Sequence, residues 1–277
     1  MGARREAREA LAVAGVRPRK RWGQHFLCDA AVAHRIVETA EIGPRTVALE
    51  IGPGLGALTD ELAGRAGRLY LVEIDPALAA RLAARYAENP RVRVIEGDVL
   101  ALALETLITE PRVTVIGNLP YNVAIPILFA LREQRVRMPH AVVMLQREVA
   151  QRLVARPDTP DYGVTTVLLQ AVAAVRLAFG VSRRSFHPPP RVESAVLDIR
   201  WSATPSVDLG DEQGFREVVR AAFGQRRKML RNALGPLARH RGVDLERAFA
   251  RADVAPSARA ETLDLVAFAR LARALTR

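Results

Sequence analysis

Cysteine is nearly missing: Cys28 is the only one in 277 residues. No intramolecular disulfide can form, and no multi-cysteine zinc site can be built. That usage fits a reducing, cytoplasmic location, and no bound metal is expected. Long apolar runs are missing too. The uncharged stretch from Val113 to Leu131 approaches the length of a membrane span, yet it holds Gly117, Asn118, Pro120, Asn122 and Pro126. Those residues would break a helix in lipid, so the stretch reads as strand, loop and helix, and no membrane partner is expected. Glu6 and Glu9 count against a transit peptide, and Glu6 also stands where a myristoylation signal needs a hydroxyl. Internal repeats and low-complexity tracts are absent, and nothing demands more than a monomer.

Acidic residues are in deficit, 30 against 41 lysines and arginines, for a formal charge of +11. The cations are mainly arginines, whose planar fork suits phosphate, so a polyanionic partner is favoured. The remainder is ordinary for a globular chain, with 49% hydrophobic and 26% charged residues. The length suits one large α/β domain with a small appendage, or two modest domains.

Residues 1–22 are basic and short of large apolar side chains, which predicts an arm, partly helical. Apolar spacing predicts a helix over 30–40, and Thr46 to Ile51 reads as a buried strand running into EIGPGLG, followed by a helix through Leu62. Strands then alternate with helices: Leu69 to Ile74, Val92 to Ile95, Val113 to Ile116 and Ala141 to Leu145 are strands, and helices begin at Pro76, Ile125 and near Arg147. Such alternation implies an α/β fold with a mostly parallel, doubly wound sheet. Ala171 to Phe179 and Ser194 to Ile199 flank SFHPPP and are expected to pair antiparallel. Beyond Trp201 and a linker over 202–210 the pattern turns helical, in GFREVVRAAF, RRKMLRNAL, LERAFARA and LVAFARLARAL. The expected division is an arm (1–22), an α/β domain (23–203) and a small α-helical domain (204–277).

In EIGPGLG, Gly52, Gly54 and Gly56 lie where a strand hands over to a helix, so the backbone can bend sharply and admit a ligand without meeting a Cβ. Alone, this is weak: a tight βα connection looks the same. Two carboxylates change the weighting. Glu73 ends the second strand of the alternation, 17 positions after Gly56, where it can accept from both ribose hydroxyls of a nucleoside. Asp98 ends the third strand in EGD, where it can accept from an adenine amine. The glycine spacing is not G-x-G-x-x-G, and a charged Glu50 beside the loop is expected to repel a pyrophosphate, so a nucleoside bearing a sulfonium, S-adenosylmethionine, suits the pattern better than a dinucleotide.

After the fourth strand comes Asn118-Leu119-Pro120-Tyr121. The N6 lone pair of adenine is delocalised into the ring, so the amine is a poor nucleophile until hydrogen bonds to its protons let the nitrogen pyramidalise. The Asn118 amide oxygen and the Leu119 carbonyl can accept those bonds, Pro120 stiffens the loop and Tyr121 can stack on the base. No strong general base is needed, because attack on a sulfonium methyl yields a cationic amine that loses its proton readily. A Pro-Tyr turn ending a strand is common by itself; its coupling to EIGPGLG upstream favours the functional reading.

WGQHFL (22–27), EIGPGLGALT (50–59), VEID (72–75), EGDVL (96–100), GNLPYN (117–122), LQREVAQRL (145–153), SFHPPPRVESAV (185–196) and FGQRRKMLRNAL (223–234) span nearly the whole chain. In these blocks the chain resembles the KsgA/Dim-type rRNA adenine N6,N6-dimethyltransferases, relatives of the Erm methyltransferases. The resemblance implies a Rossmann-like class I S-adenosylmethionine-dependent methyltransferase domain with a small C-terminal α-helical domain. It further implies donor contacts from His25, Leu27, Gly52, Gly54, Glu73, Ile74, Asp98, Val99 and Asn118, and an adenine pocket of Asn118, Leu119, Tyr121 and Phe186. An extruded adenine needs two aromatic faces, assigned here to Tyr121 and Phe186. His25 departs from the asparagine expected in a GQNFL form; its imidazole can still donate a hydrogen bond.

The implied substrate is a pair of adjacent adenosines in a hairpin loop near the 3′ end of small-subunit rRNA, each dimethylated on N6, with the small ribosomal subunit as partner and a role in monitoring its assembly. RNA phosphates are expected to meet Arg19, Lys20 and Arg21 of the arm and Arg226, Arg227, Lys228 and Arg231, which are expected to begin a helix. Three competing readings stand beside this one: an Erm-like enzyme for large-subunit rRNA, a ribosome-assembly factor whose methylation is secondary, and a DNA adenine methyltransferase.

Overall fold

The computed structural model describes residue 9, residues 23–225 and residues 228–276. Apart from Glu9, the expected arm over 1–22, with Arg19, Lys20 and Arg21, falls outside the described residues, as do Arg226 and Arg227. The chain divides into two compact units, one of residues 1–150 and 176–201 and one of residues 151–175 and 202–277. Residues 151–175, expected from the sequence to belong to the α/β domain, thus group with the C-terminal helices.

In the first unit β1 (Phe26–Leu27) and α1 (Ala30–Thr39) lead into β2 (Val47–Ile51), α2 (Thr59–Arg65), β3 (Arg68–Glu73), α3 (Pro76–Arg85) and β4 (Val92–Glu96). The alternation continues through α4 (Leu104–Leu107), β5 (Thr114–Asn118), α5 (Ala124–Glu133) and β6 (His140–Gln146). Next along the chain come α6 (Arg147–Leu153), α7 (Val164–Gln170), which belongs to the second unit, then β7 (Ala173–Val181), β8 (Phe186–His187) and β9 (Ser194–Trp201). Seven strands form one sheet in the order β4-β3-β2-β5-β6-β9-β7. Strands β2 to β6 run parallel to their neighbours, and β9 lies antiparallel to β6.

Local chemistry explains these elements. Asp29 caps α1, accepting from the Val32 amide at 3.2 Å, and Ala33, Ile36 and Val37 make its buried stripe. Asp75 caps α3 in the same way, with Pro76 preset for the first turn. Strand β2 lies between two parallel neighbours and is covered on both faces, so Ala48, Leu49 and Ile51 are all buried. Glu50 shares that burial, a polar exception that belongs to the site. Because β3 and β5 flank β2 on opposite sides, the strand order reverses there, and a crevice opens beyond the carboxyl ends of these strands.

Two differences from the sequence expectations bear on function. Strand β5 extends to Asn118, because its ladder with β6 pairs Asn118 with Met144 and the Leu119 amide then donates to the Met144 carbonyl at 3.0 Å. The NLPY asparagine is therefore the last residue of a rigid strand. The two-stranded ladder of β1 and β8 is the other; it sets Phe26 opposite His187 and Leu27 opposite Phe186. Two-residue strands carry no periodicity to read.

The second unit packs α8 (Glu212–Gly224), α9 (Leu230–Arg241), α10 (Leu245–Ala252) and α11 (Leu265–Leu275). Asp211, Asp244 and Asp264 cap α8, α10 and α11. Phe223 stacks on Phe268 with centroids 5.7 Å apart and meets Tyr162 edge-on at 6.0 Å. Helix α9 begins at Leu230, so Lys228 precedes the helix that RRKMLRNAL was expected to open at Arg226.

Candidate active site

A cleft of about 690 Å³, open mouth included, lies at the reversal of strand order. Its floor is the loop after β2. Gly54 has φ of +58°, and a Cβ there would sit 2.9 Å from Cδ1 of Phe26, so only glycine fits by both conformation and space. The Gly54 amide donates to one oxygen of Glu73 at 2.9 Å, and the Asp75 amide donates to the other at 2.9 Å. Burial pushes the Glu73 carboxyl above its ordinary value, while those backbone donors pull it back. Each oxygen keeps a lone pair for a ligand hydroxyl, so the loop and the acceptor are locked together before anything binds.

Glu50 lines the same cleft. One oxygen accepts from the Thr59 hydroxyl at 2.7 Å, and no cationic side chain among the described residues pairs with it. Burial, with Glu73 and Asp60 adding repulsion, lifts its carboxyl to about 8. Burial therefore disfavours a lone charge on Glu50, where the sequence led us to expect a carboxylate that repels a pyrophosphate. An uncompensated buried carboxyl instead suits a ligand that carries its own positive charge.

Opposite the glycine loop, the Asn118 amide donates to the His25 carbonyl at 2.8 Å. A carbonyl can only accept, so the carboxamide nitrogen is assigned to that side and Oδ1 remains as an acceptor. Nδ1 of His25 lies 2.8 Å from the Pro188 carbonyl and by the same logic carries the proton. The His25 ring stacks on Tyr121 with centroids 5.5 Å apart and planes 30° apart. The Tyr121 hydroxyl lies 2.6 Å from Oγ of Ser194, and burial raises its pKa.

Of the residues singled out in the sequence, His25, Leu27, Gly52, Gly54, Glu73, Ile74, Asn118, Leu119 and Tyr121 line this one cleft. Three do not. Asp98 is exposed on the turn after β4, where its carboxylate accepts from the Leu100 amide at 2.9 Å. Val99 lines a separate groove with Leu102, Ile127 and Leu131. Phe186 is completely buried in the hydrophobic core on β8, so the second aromatic face expected of it is not at the cleft; the ring beside Tyr121 is His25. Lys228 and Arg231 are exposed in the second unit. Sequence reasoning did not single out Gln24, Phe26 or Leu58 of the lining, nor Ser194 behind Tyr121. Ser194 left a signal as the one hydroxyl of its strand.

Residues 15–275 match the family described as Ribosomal RNA adenine dimethylase. The chain is 42% identical over 270 residues to a ribosomal RNA small subunit methyltransferase A of Moorella thermoacetica, covering 94% of this chain and 93% of the relative. It is 44% identical to the Geobacter sulfurreducens protein of the same name, over 94% of this chain and 96% of that one. Among solved structures, the 23S rRNA methyltransferase ErmE superposes with a TM-score of 0.69 at 29% identity, over 90% of this chain and 99% of that one. A dimethyladenosine transferase from Plasmodium falciparum superposes at 0.75 with 23% identity, over 89% of this chain and 96% of that one, a likeness of fold.

Proposed function

The chain belongs to the ribosomal RNA adenine dimethylase family, and from that premise we propose that it dimethylates N6 of two adjacent adenosines in a hairpin loop near the 3′ end of small-subunit rRNA. It is an S-adenosylmethionine-dependent methyltransferase, and the cleft suits that donor: a glycine cradle, the Glu73 acceptor for ribose hydroxyls and the buried Glu50 carboxyl toward a cationic ligand. When bound, the donor supplies an electrophilic methyl on a sulfonium.

The observation that carries the reading is the Asn118 bond to the His25 carbonyl, which leaves Oδ1 as an acceptor in the cleft. Oδ1 and the Leu119 carbonyl accept hydrogen bonds from the two N6–H groups, the nitrogen becomes pyramidal, and its lone pair turns toward the methyl. Tyr121, backed by His25, stacks on the extruded base. Asn118 is neutral and Oδ1 can accept from one proton as well as two, which permits a second transfer.

Lys228 and Arg231, with Arg19, Lys20, Arg21, Arg226 and Arg227 outside the described residues, are assigned to RNA phosphates, in line with the +11 charge. The small subunit is the partner, the enzyme acts as a monomer in the cytoplasm, and it monitors subunit assembly. The half-buried single Cys28 and the lack, among the described residues, of a helix long and apolar enough to cross a membrane are compatible with that placement. The test is methyl transfer from labelled donor to unmodified small subunits, naked small-subunit rRNA and large-subunit rRNA, with nucleosides identified by mass spectrometry. N6,N6-dimethyladenosine on small subunits, lost in Asn118→Ala, is expected. Labelling confined to large-subunit rRNA would move the enzyme to the specificity named for ErmE, and no labelling would leave a binding factor.

A further inference from the structure

Ser194 opens strand β9, whose other residues, AVLDIRW, carry no hydroxyl. It is fully buried, and its hydroxyl makes one hydrogen bond among the described residues, the 2.6 Å contact with the Tyr121 hydroxyl. A buried hydroxyl is costly unless paired, so this bond accounts for the residue.

The surroundings make Ser194 a fixed post. In the β6 and β9 ladder it stands opposite Gln146. The preceding Glu193 accepts from the Arg147 amide at 3.0 Å through its carbonyl, and from the Arg183 amide at 2.8 Å through its carboxylate. The loop bearing Tyr121 hangs from the same strand, since the Leu119 amide donates to the Met144 carbonyl at 3.0 Å. Post and loop are thus referenced to β6, and the hydroxyl pair closes the frame across 73 residues of sequence.

We propose that Ser194 is a positioning residue that anchors the Tyr121 phenol, and that this anchor governs the second methyl transfer more than the first. The proposal rests on the adenine dimethylation reading above. The first transfer acts on an amine with two protons, which two acceptors can hold. After it, N6 keeps one proton, so one of those hydrogen bonds is gone and the stacked ring carries more of the task of holding the base. A ring released from its post tilts, and the monomethylated base suffers most. Ser194 does not line the donor cleft, so donor binding should be indifferent to it.

The experiment uses the full-length wild type, Ser194→Ala, Tyr121→Phe and the double variant on unmodified small subunits. Nucleosides are resolved by mass spectrometry, and donor affinity is measured by calorimetry. In Ser194→Ala the donor Kd stays within about twofold, the second transfer slows roughly 10- to 100-fold, and N6-monomethyladenosine accumulates. Tyr121→Phe, which keeps the ring and loses the hydroxyl, behaves likewise, and the double variant is no worse than either single one. A normal dimethyl product from Ser194→Ala, additive losses in the double variant, or equal loss of donor binding and both transfers would overturn the proposal. Should Ser194→Ala not fold, Tyr121→Phe decides alone: a wild-type ratio of mono- to dimethylated product rejects the anchor. A wild type that transfers nothing to small subunits would instead sink the parent reading, and the proposal with it.

Discussion

Asn118 and His25 are 93 residues apart in sequence and are joined by a 2.8 Å hydrogen bond from the side-chain amide of the first to the main-chain carbonyl of the second. The bond turns a carboxamide with two interchangeable ends into a directed acceptor. It also makes the placement of Asn118 depend on β1, which is held in turn by β8.

Asn118→Ala should lower methyl transfer by roughly 100- to 1,000-fold, the scale of losing one preorganised polar contact at a reacting centre. Asn118→Asp should be as inactive, because a carboxylate oxygen would face the His25 carbonyl. Single-turnover rates with saturating donor measure both; a variant within a few-fold of wild type would remove Asn118 from the chemistry.

Glu73→Gln tests the donor site. An amide offers one oxygen where the Gly54 and Asp75 amides each require an acceptor, so the loop loosens as the ribose contact weakens. Donor Kd should rise roughly 10- to 100-fold, the range for hydrogen bonds to a charged group. Binding to small subunits, followed by sedimentation, should be retained, separating recognition from catalysis.

The Glu50 carboxyl sits at about 8 in the folded protein against an ordinary 4.5. Its neutral form is the one the fold favours, so its contribution to stability is fully present below about 4.5 and is lost as pH rises through about 8. Glu50→Gln mimics the neutral form and can still accept from Thr59. Relative to wild type, the donor-free variant should be little changed near pH 4.5 and more stable above pH 8, by on the order of a few kcal/mol. Thermal melts across that window decide it, and parallel curves would show that Glu50 ionises freely.

Salt dependence probes the RNA contacts. If Lys228 and Arg231 each meet a phosphate, Lys228→Ala and Arg231→Ala should weaken binding without changing the product, and each should reduce the slope of log affinity against log salt by about one. An unchanged slope would assign them to solvent.

Motifs with local meaning are legible in the linear chain. EIGPGLG declares a strand, a sharp turn and a helix, because glycine spacing and apolar periodicity act over a few residues. The acidic residue ending β3 and the NLPY loop after β5 follow from the alternation. What the linear pattern does not show is whatever depends on distant neighbours: the β1 and β8 ladder, the grouping of residues 151–175 with the C-terminal helices, and the start of α9 at Leu230.

The sequence by itself determined the order of strands and helices, the glycine turn after β2 and the place of NLPY at a strand end, since each is written in residues close along the chain. Tertiary structure alone decided which side chains share the cleft. Asp98 and Phe186 carry motif credentials equal to those of Glu73 and Tyr121, yet Asp98 is exposed on the turn after β4, one oxygen accepting from the Leu100 amide, and Phe186 is sealed in the core. Glu50, read from sequence as a charge, has its carboxyl pushed up to about 8 by burial, and Ser194 gains its part only because β6 carries both its strand and the loop of Tyr121. The physical reason is the same in each case: desolvation and hydrogen-bond partnership are properties of what surrounds a residue in space, and a linear pattern records only what precedes and follows it.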